Sequence, residues 1–341
     1  MKILYYMPYC NSVGADRWIY ECWKEAFLDM GHDFFVLTEE DDFRVRALDI
    51  APDIFMVANL LDICNVKYQE ALKTVRKSGA KVLLITSLPL SKEVLAVIKH
   101  EDIADIYYGE SEHQNYVDEF VRQTGKAYHL IPFAASKVRH YPSTPVEKFQ
   151  YDIVYLGAYL PKKRGVFQEV LLPLARKYRV GIFGPNWTVK DNLFRATQKL
   201  CRLMSFKWGA DLISQARLSI PMSEENQLYS SAKICLNFHE REEDGSQPHY
   251  VLNQRTFTIP ACGGFELCDY VPAIRKYFGD DEVVMAGSRD EWFSKVEYYL
   301  ENESARKVIQ RNGTVRALRD HTYHIRVQQV LSLASGCVQQ K

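Results

Sequence analysis

The chain lacks the features that mark membrane-spanning and nucleic-acid-binding proteins. It has no uninterrupted apolar run of the length needed to cross a bilayer, so no membrane-spanning helix is expected. Lys and Arg together number 43, as do Asp and Glu, and this zero net charge does not favour a nucleic-acid partner, which needs a dense basic face. Met1 leads directly into the strand-like segment KILYYMP, so no signal peptide is expected.

The eight cysteines include no CxxC pair and no spacing typical of a zinc site. Several of them stand inside apolar runs such as KICLNF, at 233–238. This pattern favours buried free thiols in a reducing cytoplasm over a disulfide framework. No metal ligand set is expected.

Short apolar runs alternate with longer helical patterns along all 341 residues, 47% of which are hydrophobic. The length suffices for two cores, and the alternation predicts βαβ units with parallel sheets. The predicted strands are 2–7, 34–38, 53–58, 81–86, 105–108 and 127–131, then 152–156, 179–183, 217–220, 233–238, 265–268 and 282–285. The predicted helices are 16–30, 65–78, 91–99, 112–124, 165–177, 223–232, 248–262, 290–301, 303–318 and 322–334.

The polar segment 136–150 holds two prolines and no periodicity, which is typical of a linker. We therefore expect an α/β protein of two Rossmann-like domains that face each other across a cleft. The expected N-terminal domain covers 1–140 and the C-terminal domain 141–320, and a last helix within 321–341 returns to the N-terminal domain. Ligands of such sheets bind beyond the carboxyl ends of the strands.

The loop 244–248 reads Asp-Gly-Ser-Gln-Pro, between a predicted buried strand and a predicted helix. Ser246 can cap that helix, and Pro248 lies early enough in it that its missing N–H costs nothing. A helix N-terminus that follows a buried strand presents unbonded N–H groups to an anion. The segment therefore predicts a phosphate site with Ser246 and Gln247 among its contacts.

A second anion site is predicted where the strand 152–156 ends. Gly157 allows close backbone approach, and Lys162, Lys163 and Arg164 follow five to seven residues later. Lys163 or Arg164 can reach a phosphate from that position. The structural alternative is a solvated basic turn at the start of a helix.

Residues 187–209 break the α/β rhythm with basic and aromatic side chains in one helical segment. A basic helix with an aromatic-rich face can lie on an anionic membrane surface, which would make the protein a peripheral membrane protein. The alternative is an inserted helix that packs on the domain or lines the cleft.

Several motifs together resemble the glycosyltransferases of the GT-B fold, most of all the group with spore-maturation-type and surface-polysaccharide transferases. They are YSSAKICLNFH, NQRTFTIPACGGFELCDY, DYVPAIRKYFGDDEVV and HTYHIR, within about 150–320, and HLIPFAAS at 129–136. The resemblance implies transfer of a sugar from a nucleotide sugar to a glycan, a lipid-linked acceptor or another hydroxyl acceptor. It implies a donor site in the C-terminal domain, an acceptor side in the N-terminal domain, and neither a metal nor a cofactor besides the donor.

The resemblance also implies positions for the donor contacts. Asn253 and Arg255 match the family pattern, whereas Thr258 stands where relatives commonly have a Glu that receives the ribose hydroxyls. The turn Ile220 to Met222 corresponds to the segment that meets the nucleotide base. His239 and His249 flank the donor loop and are candidates for phosphate or sugar contacts. For each, the alternative is an ordinary structural role in a helix or turn.

Two residues are candidates for the catalytic base. Asp16 follows the first strand, although a carboxylate there also stabilises a helix N-terminus. His113 follows the strand 105–108, where it equally fits an ordinary helix start.

Two other functions fit the same fold. One is a sugar-nucleotide epimerase of GT-B shape, for which no characteristic set of cleft carboxylates and histidines is present. The other is a non-catalytic module that binds nucleotide sugars or glycans, which Thr258 favours. The expected location is the cytoplasm, with the inner membrane face as the alternative.

Overall fold

The computed structural model describes residues 1–10, 12–58, 61–240 and 251–336. The chain forms two compact units. Unit 1 comprises the described residues of Met1–Cys10, Ile19–Phe133 and Tyr323–Lys341. Unit 2 comprises the described residues of Asn11–Trp18 and Ala134–Thr322. The domain boundaries predicted from the sequence stay predictions.

Unit 1 is built on a parallel sheet of six strands in the order β2-β1-β3-β4-β5-β6. Ile3 pairs with Phe34 on one side and with Ile54 on the other, so the first strand lies inside the sheet. Because both faces are covered, the central strands are almost wholly apolar. The strands are β1 (Lys2–Tyr6), β2 (Asp33–Leu37), β3 (Ile54–Val57), β4 (Lys81–Ile85), β5 (Ile106–Gly109) and β6 (Tyr128–Leu130). All six were predicted within two residues at each end.

The helices of unit 1 pack their apolar sides onto this sheet. They are α1 (Ala15–Asp29, of which Ala15–Trp18 belong to unit 2), α2 (Phe43–Ile50), α3 (Val66–Lys77), α4 (Lys92–His100) and α5 (Gln114–Thr124). The sequence analysis missed α2, which Asp42 caps by accepting the N–H of Val45 at 3.1 Å. Its eight residues bury only Phe43, Ala47 and Ile50, too few for a clear helical period.

Unit 2 holds a parallel sheet of five strands in the order β11-β10-β9-β7-β8. They are β7 (Ile153–Leu156), β8 (Val180–Phe183), β9 (Ile234–Asn237), β10 (Glu266–Asp269) and β11 (Val284–Ala286). The predicted strand 217–220 is wrong. The N–H groups of Arg217 and Leu218 instead bond to carbonyls of the preceding helix, at Ile213 and Gln215. Four apolar-rich residues alone do not distinguish a strand from a helix end.

The helices of unit 2 fall where they were predicted, with two differences. The segment 187–209 forms a hairpin of two helices, and the helix predicted at 248–262 runs only over Arg255–Ala261, because 251–254 are not helical. The helices are α6 (Arg164–Val166), α7 (Leu172–Lys177), α8 (Val189–Leu203), α9 (Lys207–Ala216), α10 (Glu225–Ser231), α11 (Arg255–Ala261), α12 (Arg289–Glu301) and α13 (Glu303–Asp320). A π-helical turn, Phe167–Leu171, joins α6 to α7.

The last helix, α14 (Tyr323–Ala334), belongs to unit 1. Its Arg326 donates to the Pro132 carbonyl at 2.9 Å, and Tyr323 packs edge-on against Trp23 at 5.0 Å between ring centroids. The predicted α/β class with two Rossmann-like domains is confirmed. Within the described residues, the structure contains no helix that combines the length and the apolar character needed to cross a bilayer.

Candidate functional site

A cavity of about 370 Å³ opens in unit 2 where strands β7, β8 and β9 end. Segments that directly follow these three strands form much of its wall, as expected for a ligand site in a parallel sheet. Its lining includes Val13–Ala15, Trp18, Tyr155–Ala158, Leu160, Lys163, Gly184, Pro185, Arg217–Ile220, Glu225, Tyr229, Glu240, Asn253–Arg255 and Thr258. The residues of the 12–18 segment on this wall also belong to unit 2.

Gly157 occupies the end of β7, where two other chain segments approach the backbone closely. A Cβ on Gly157 would collide with the Arg255 guanidinium and with the Tyr155 hydroxyl. Gly184 lies beside it with φ at +123°, a backbone conformation that side chains rarely allow. Arg255 is therefore the side chain that approaches the Gly157 backbone, and the predicted approach of a phosphate at this glycine stays a prediction.

Arg255, the first residue of α11, is fixed by carbonyl groups at two strand ends. Its guanidinium donates to the Leu156 carbonyl after β7 and, at 3.2 Å, to the Phe238 carbonyl after β9. The group also lies over the ring of Tyr155, 5.1 Å from the centroid. These contacts hold a permanent positive charge on the cavity wall.

Lys163 lies on the same wall and is only 4% exposed. Its Nζ donates to the Phe238 carbonyl at 2.8 Å, the same oxygen that Arg255 contacts. Burial and then the Arg255 charge lower the pKa of Lys163 to about 7, against a smaller opposite effect of Glu240 and Asp269. Two cationic groups thus converge on one carbonyl oxygen, which is a site suited to an anionic ligand.

Three polar side-chain atoms on the cavity wall are buried and have no hydrogen-bond partner among the described residues. They are the Thr258 hydroxyl, the Asn253 carbonyl oxygen and the Tyr229 hydroxyl. Buried polar groups are nearly always paired, so such a group on a cavity wall is available to a ligand. The amide of Asn253 is oriented by its bond to Asn237, at 2.8 Å.

A carboxylate faces the same cavity from α10. Glu225 is buried, and its Oε2 accepts the indole N–H of Trp18 at 2.9 Å and lies 3.4 Å from His140 Nε2. The sequence analysis missed Glu225 and Trp18. The only signal for them was that both stand in segments predicted to follow strand ends.

A buried network lies beside the cavity and joins β9, β10 and α11. Asp269 accepts from His239 Nδ1 at 2.8 Å, and His239 Nε2 lies 2.9 Å from the Thr256 hydroxyl. Asn237 donates to Thr256 at 3.2 Å and to Glu266 Oε1 at 2.8 Å. Burial raises the pKa of Glu266 to about 8. His239 therefore has both ring nitrogens engaged inside unit 2, and it does not lie on the cavity wall.

The other predicted site residues divide into three groups. Gly157, Lys163, Ile220, Asn253, Arg255 and Thr258 lie on the cavity wall. Arg164, Met222 and Asp16 do not, although each is next to or near a residue that does, and Arg164 and Asp16 are exposed. Ser246, Gln247 and His249 lie outside the described residues, as does the whole predicted phosphate loop 244–248. The functional roles of all these residues stay predictions.

His113 belongs to unit 1, whereas the cavity belongs to unit 2. It stands at the start of α5, and its ring stacks on Tyr116 at 3.9 Å between centroids. A nearby acid that the sequence analysis did not single out is Glu110, directly after β5. Burial raises the pKa of Glu110 to about 7, which is the range of a general base.

Over the described ranges, no three His, Cys, Asp or Glu side chains are grouped so that they could hold a metal ion. The cationic groups Lys163 and Arg255 supply the positive charge on the part of the wall near β7 and β9. Arg217, also on the wall, is engaged by Asp191 at 2.9 Å and by Gln198 at 2.7 Å.

Solved structures of low sequence identity share this fold. HepE of Anabaena, solved with UDP-glucose, has 13% identity and a TM-score of 0.60, over 98% of this chain and 100% of HepE. A glycosyltransferase of Rickettsia africae ESF-5 has 12% identity and a TM-score of 0.63, over 100% and 99%. Sucrose-phosphate synthase of Thermosynechococcus elongatus has 11% identity and a TM-score of 0.61, over 98% of each chain. No curated protein matched the sequence.

Two Rossmann-like units, with a cavity at the strand ends of one, define a protein of the GT-B fold. Residues 163–332 match the family described as glycosyl transferase-like. The resemblance to GT-B glycosyltransferases is therefore confirmed.

Proposed function

We propose that this protein transfers a sugar from a nucleotide-sugar donor to a hydroxyl group of a glycan or of a lipid-linked acceptor. The pathway we propose is the synthesis of a surface polysaccharide or another glycoconjugate. The observation that carries the proposal is the convergence of Lys163 and Arg255 on the Phe238 carbonyl, at the wall of a strand-end cavity. A diphosphate is the part of the donor that needs two fixed cations.

The proposed role of these cations is to stabilise the leaving nucleoside diphosphate. Negative charge grows on the diphosphate as the bond to the sugar breaks, and fixed positive groups that meet this charge lower the barrier. Arg255 is held in place by two backbone carbonyls, so it needs no reorganisation during the reaction. We propose that transfer proceeds without a metal ion, because the two side chains supply the charge that a metal otherwise provides.

The nucleoside would occupy the part of the cavity between Ile220 and Thr258. Glu225 and the unpartnered Thr258 and Tyr229 hydroxyls are the polar groups that can bind a ribose there. Glu225 supplies a carboxylate in a cavity where Thr258 replaces the usual Glu of the family pattern. UDP is the first nucleotide to test, because HepE, with the same fold, was solved with UDP-glucose.

The acceptor hydroxyl requires a base or a retaining mechanism in which the donor phosphate takes the proton. Asp16 and His113 remain the proposed bases. A cytoplasmic location is part of the proposal. It is supported by Cys235 and Cys268, which are buried and form no disulfide.

A non-catalytic module that binds nucleotide sugars is the second candidate function. Thr258 favours it, because a threonine offers neither the charge nor the reach of the Glu that it replaces. Such a module would bind the same nucleotide in the same cavity but would not turn the donor over.

Calorimetric titration with UDP, GDP, CMP and ADP, followed by a donor-hydrolysis assay, tests the proposal. We expect one nucleotide to bind and its sugar conjugate to be hydrolysed slowly. Lys163→Ala should weaken binding, whereas Lys162→Ala, an exposed neighbour off the cavity wall, should not. Binding without turnover would favour the module, and no binding of any nucleotide would exclude both functions.

A further inference from the structure

The helical hairpin of α8 and α9 carries its apolar side chains on the outside. Val189, Leu193, Leu200, Leu203 and Met204 recur at helical spacing and are between 55 and 79% exposed. Ala196, also exposed, fills the gap in this row. One full face of α8 is therefore apolar and uncovered.

The apolar face continues past the end of α8 into the turn and into α9. Phe206, Trp208 and Leu212 are 51, 69 and 52% exposed, and the rings of Phe206 and Trp208 contact each other at 5.8 Å between centroids. Of the 23 large apolar side chains that are exposed in the described part of the chain, eight lie between Val189 and Leu212. Such a concentration forms a patch, unlike the isolated exposed residues that any surface has.

The most buried residue of α8 is polar, and Asp191, Phe194 and Cys201 are half-buried on the same helix. Gln198 is the buried residue of this helix, and it donates to the Ala210 carbonyl of α9 at 3.3 Å. Arg217 holds the hairpin to the body of unit 2 through Gln198 and Asp191. These hydrogen bonds attach α8 to the domain on the side opposite its exposed apolar residues. The exposed apolar face is therefore not the face by which α8 packs on unit 2.

Basic side chains border this apolar face. Arg195, Lys199 and Arg202 follow each other at helical spacing along one side of α8, and Lys190 and Lys207 lie near its two ends. The only acids of residues 187–216 are Asp191 and Asp211, and Asp191 is paired with Arg217. The chain as a whole carries no net charge, so this positive charge is local.

We propose that the α8–α9 hairpin lies on the surface of an anionic lipid bilayer, with its apolar face in the interface and its basic border against the headgroups. Exposed Trp, Phe and Leu beside Lys and Arg are the composition that interfacial helices use. A second copy of the chain is the other apolar partner to consider. Two such faces would bring their basic borders together, and this repulsion favours the bilayer.

The α8–α9 hairpin is connected at both ends to residues of the cavity wall. Gly184 and Pro185 precede α8, and Leu218, Ser219 and Ile220 follow α9, and all five line the cavity. A hairpin on the bilayer therefore keeps the cavity wall at the membrane. This second step rests on the proposed function, because it selects the lipid-linked acceptor among the acceptors that the cavity could serve.

Flotation of the full-length protein with vesicles tests the membrane contact. We expect binding to vesicles of phosphatidylcholine mixed with phosphatidylglycerol, little binding to phosphatidylcholine alone, and weakening by salt. Arg195→Glu with Lys199→Glu should lower binding by at least roughly 30-fold, at about one kcal/mol for each basic residue removed. Lys307→Glu with Arg311→Glu, on α13, is the matched control and should leave binding unchanged.

The apolar part is tested by Leu200→Ser with Trp208→Ser, and by Val308→Ser with Val315→Ser as the control of equal type on α13. Loss of vesicle binding in the first pair alone supports the proposal. Absence of wild-type binding to anionic vesicles, equal binding of all variants, or a dimer that Leu200→Ser with Trp208→Ser dissolves, would each overturn it. Nucleotide affinity of the same variants should be unchanged. The vesicle experiment therefore tests the membrane contact independently of the proposed transferase activity.

Discussion

The buried network and the cavity wall of unit 2 are neighbours, but they differ in how many of their polar groups have hydrogen-bond partners. In the buried network, His239 bonds to Asp269 and Thr256, and Asn237 bonds to Thr256 and Glu266. The single group of this network without a partner is Glu266 Oε2, on a carboxyl whose raised pKa keeps it protonated at neutral pH. The network is therefore complete without any ligand.

The cavity wall has the opposite character. The Thr258 hydroxyl, the Asn253 oxygen and the Tyr229 hydroxyl are buried without partners among the described residues, and Lys163 and Arg255 donate to the same carbonyl. Such groups lower the stability of the empty protein, since each buried unpaired polar group costs about 1–3 kcal/mol. The difference indicates that the network serves the fold and the wall serves a ligand. The four predictions below test this division, from the largest expected effect to the smallest.

Replacement of Arg255 should have the largest effect on nucleotide binding. Arg255→Ala removes a fixed cation from the wall and should weaken UDP binding by about 3 kcal/mol, or roughly 100-fold. Arg164→Ala removes an exposed cation off the wall and should change the affinity less than about twofold. Isothermal titration of both variants measures the difference.

Arg255→Lys separates charge from geometry in the same experiment, because lysine keeps the charge but cannot reach both carbonyls as a planar fork. We expect an intermediate affinity. Equal losses in the Arg164 and Arg255 variants would mean that the anion binds outside the cavity described above.

Replacement of Glu266 should change stability and its pH dependence. The folded protein holds the Glu266 proton up to about pH 8, whereas the ordinary pKa is 4.5, so the folded state binds more protons between these values. Stability should therefore fall as the pH rises through this window. Glu266→Gln cannot ionise and should therefore be more stable than the wild type near pH 9.

Thermal midpoints measured from pH 4 to 9 test this result, with Glu301→Gln, an exposed acid on α12, as the control. The curves of wild type and Glu266→Gln should converge at the acid end, where both side chains are neutral. A gap of constant size across the whole range would show that folding does not raise the pKa of the Glu266 carboxyl.

Hydrophobic patterning predicted most of the fold, since eleven of the twelve predicted strands are present, and most of them have the buried apolar runs that parallel sheets need. Patterning failed where local hydrogen bonds decide the structure. The segment 217–220 looks like a strand, but its first N–H groups are taken by the end of α9. The helix α2 was missed because its start depends on the cap of Asp42 rather than on periodicity.

The candidate site was predicted less completely than the fold. The position of Lys163 beside β7 followed from the strand-end rule, but the sequence does not reveal that Lys163 is buried and that Arg164 points elsewhere. Similarly, His239 and Thr258 were equal candidates in the sequence. Only the three-dimensional bonds distinguish His239, with both nitrogens engaged, from Thr258, with a buried hydroxyl that has no partner.

The titration of Lys163 should make donor binding depend on pH. Its charged form is the one that holds a diphosphate, and its pKa of about 7 means that this form is lost above neutral pH. The affinity for UDP-glucose should fall by up to about tenfold per pH unit above 7, with proton uptake on binding. Calorimetry in two buffers of different ionisation enthalpy measures that uptake. Lys163→Arg, permanently charged, should flatten the profile, and an unchanged slope in this variant would assign the pH dependence to another group.

The smallest effects should separate two threonines of α11 that stand two residues apart. The Thr256 hydroxyl is bonded within the buried network, whereas the Thr258 hydroxyl is buried on the cavity wall without a partner. Thr256→Val should therefore lower stability by about 1 kcal/mol, because it removes the hydroxyl that bonds to both Asn237 and His239. Thr258→Val should leave stability unchanged or slightly higher, and should weaken UDP binding by about 1 kcal/mol. If Thr258→Val instead destabilised the protein and left binding unchanged, this hydroxyl would belong to the fold, and the division between network and wall would not hold at α11.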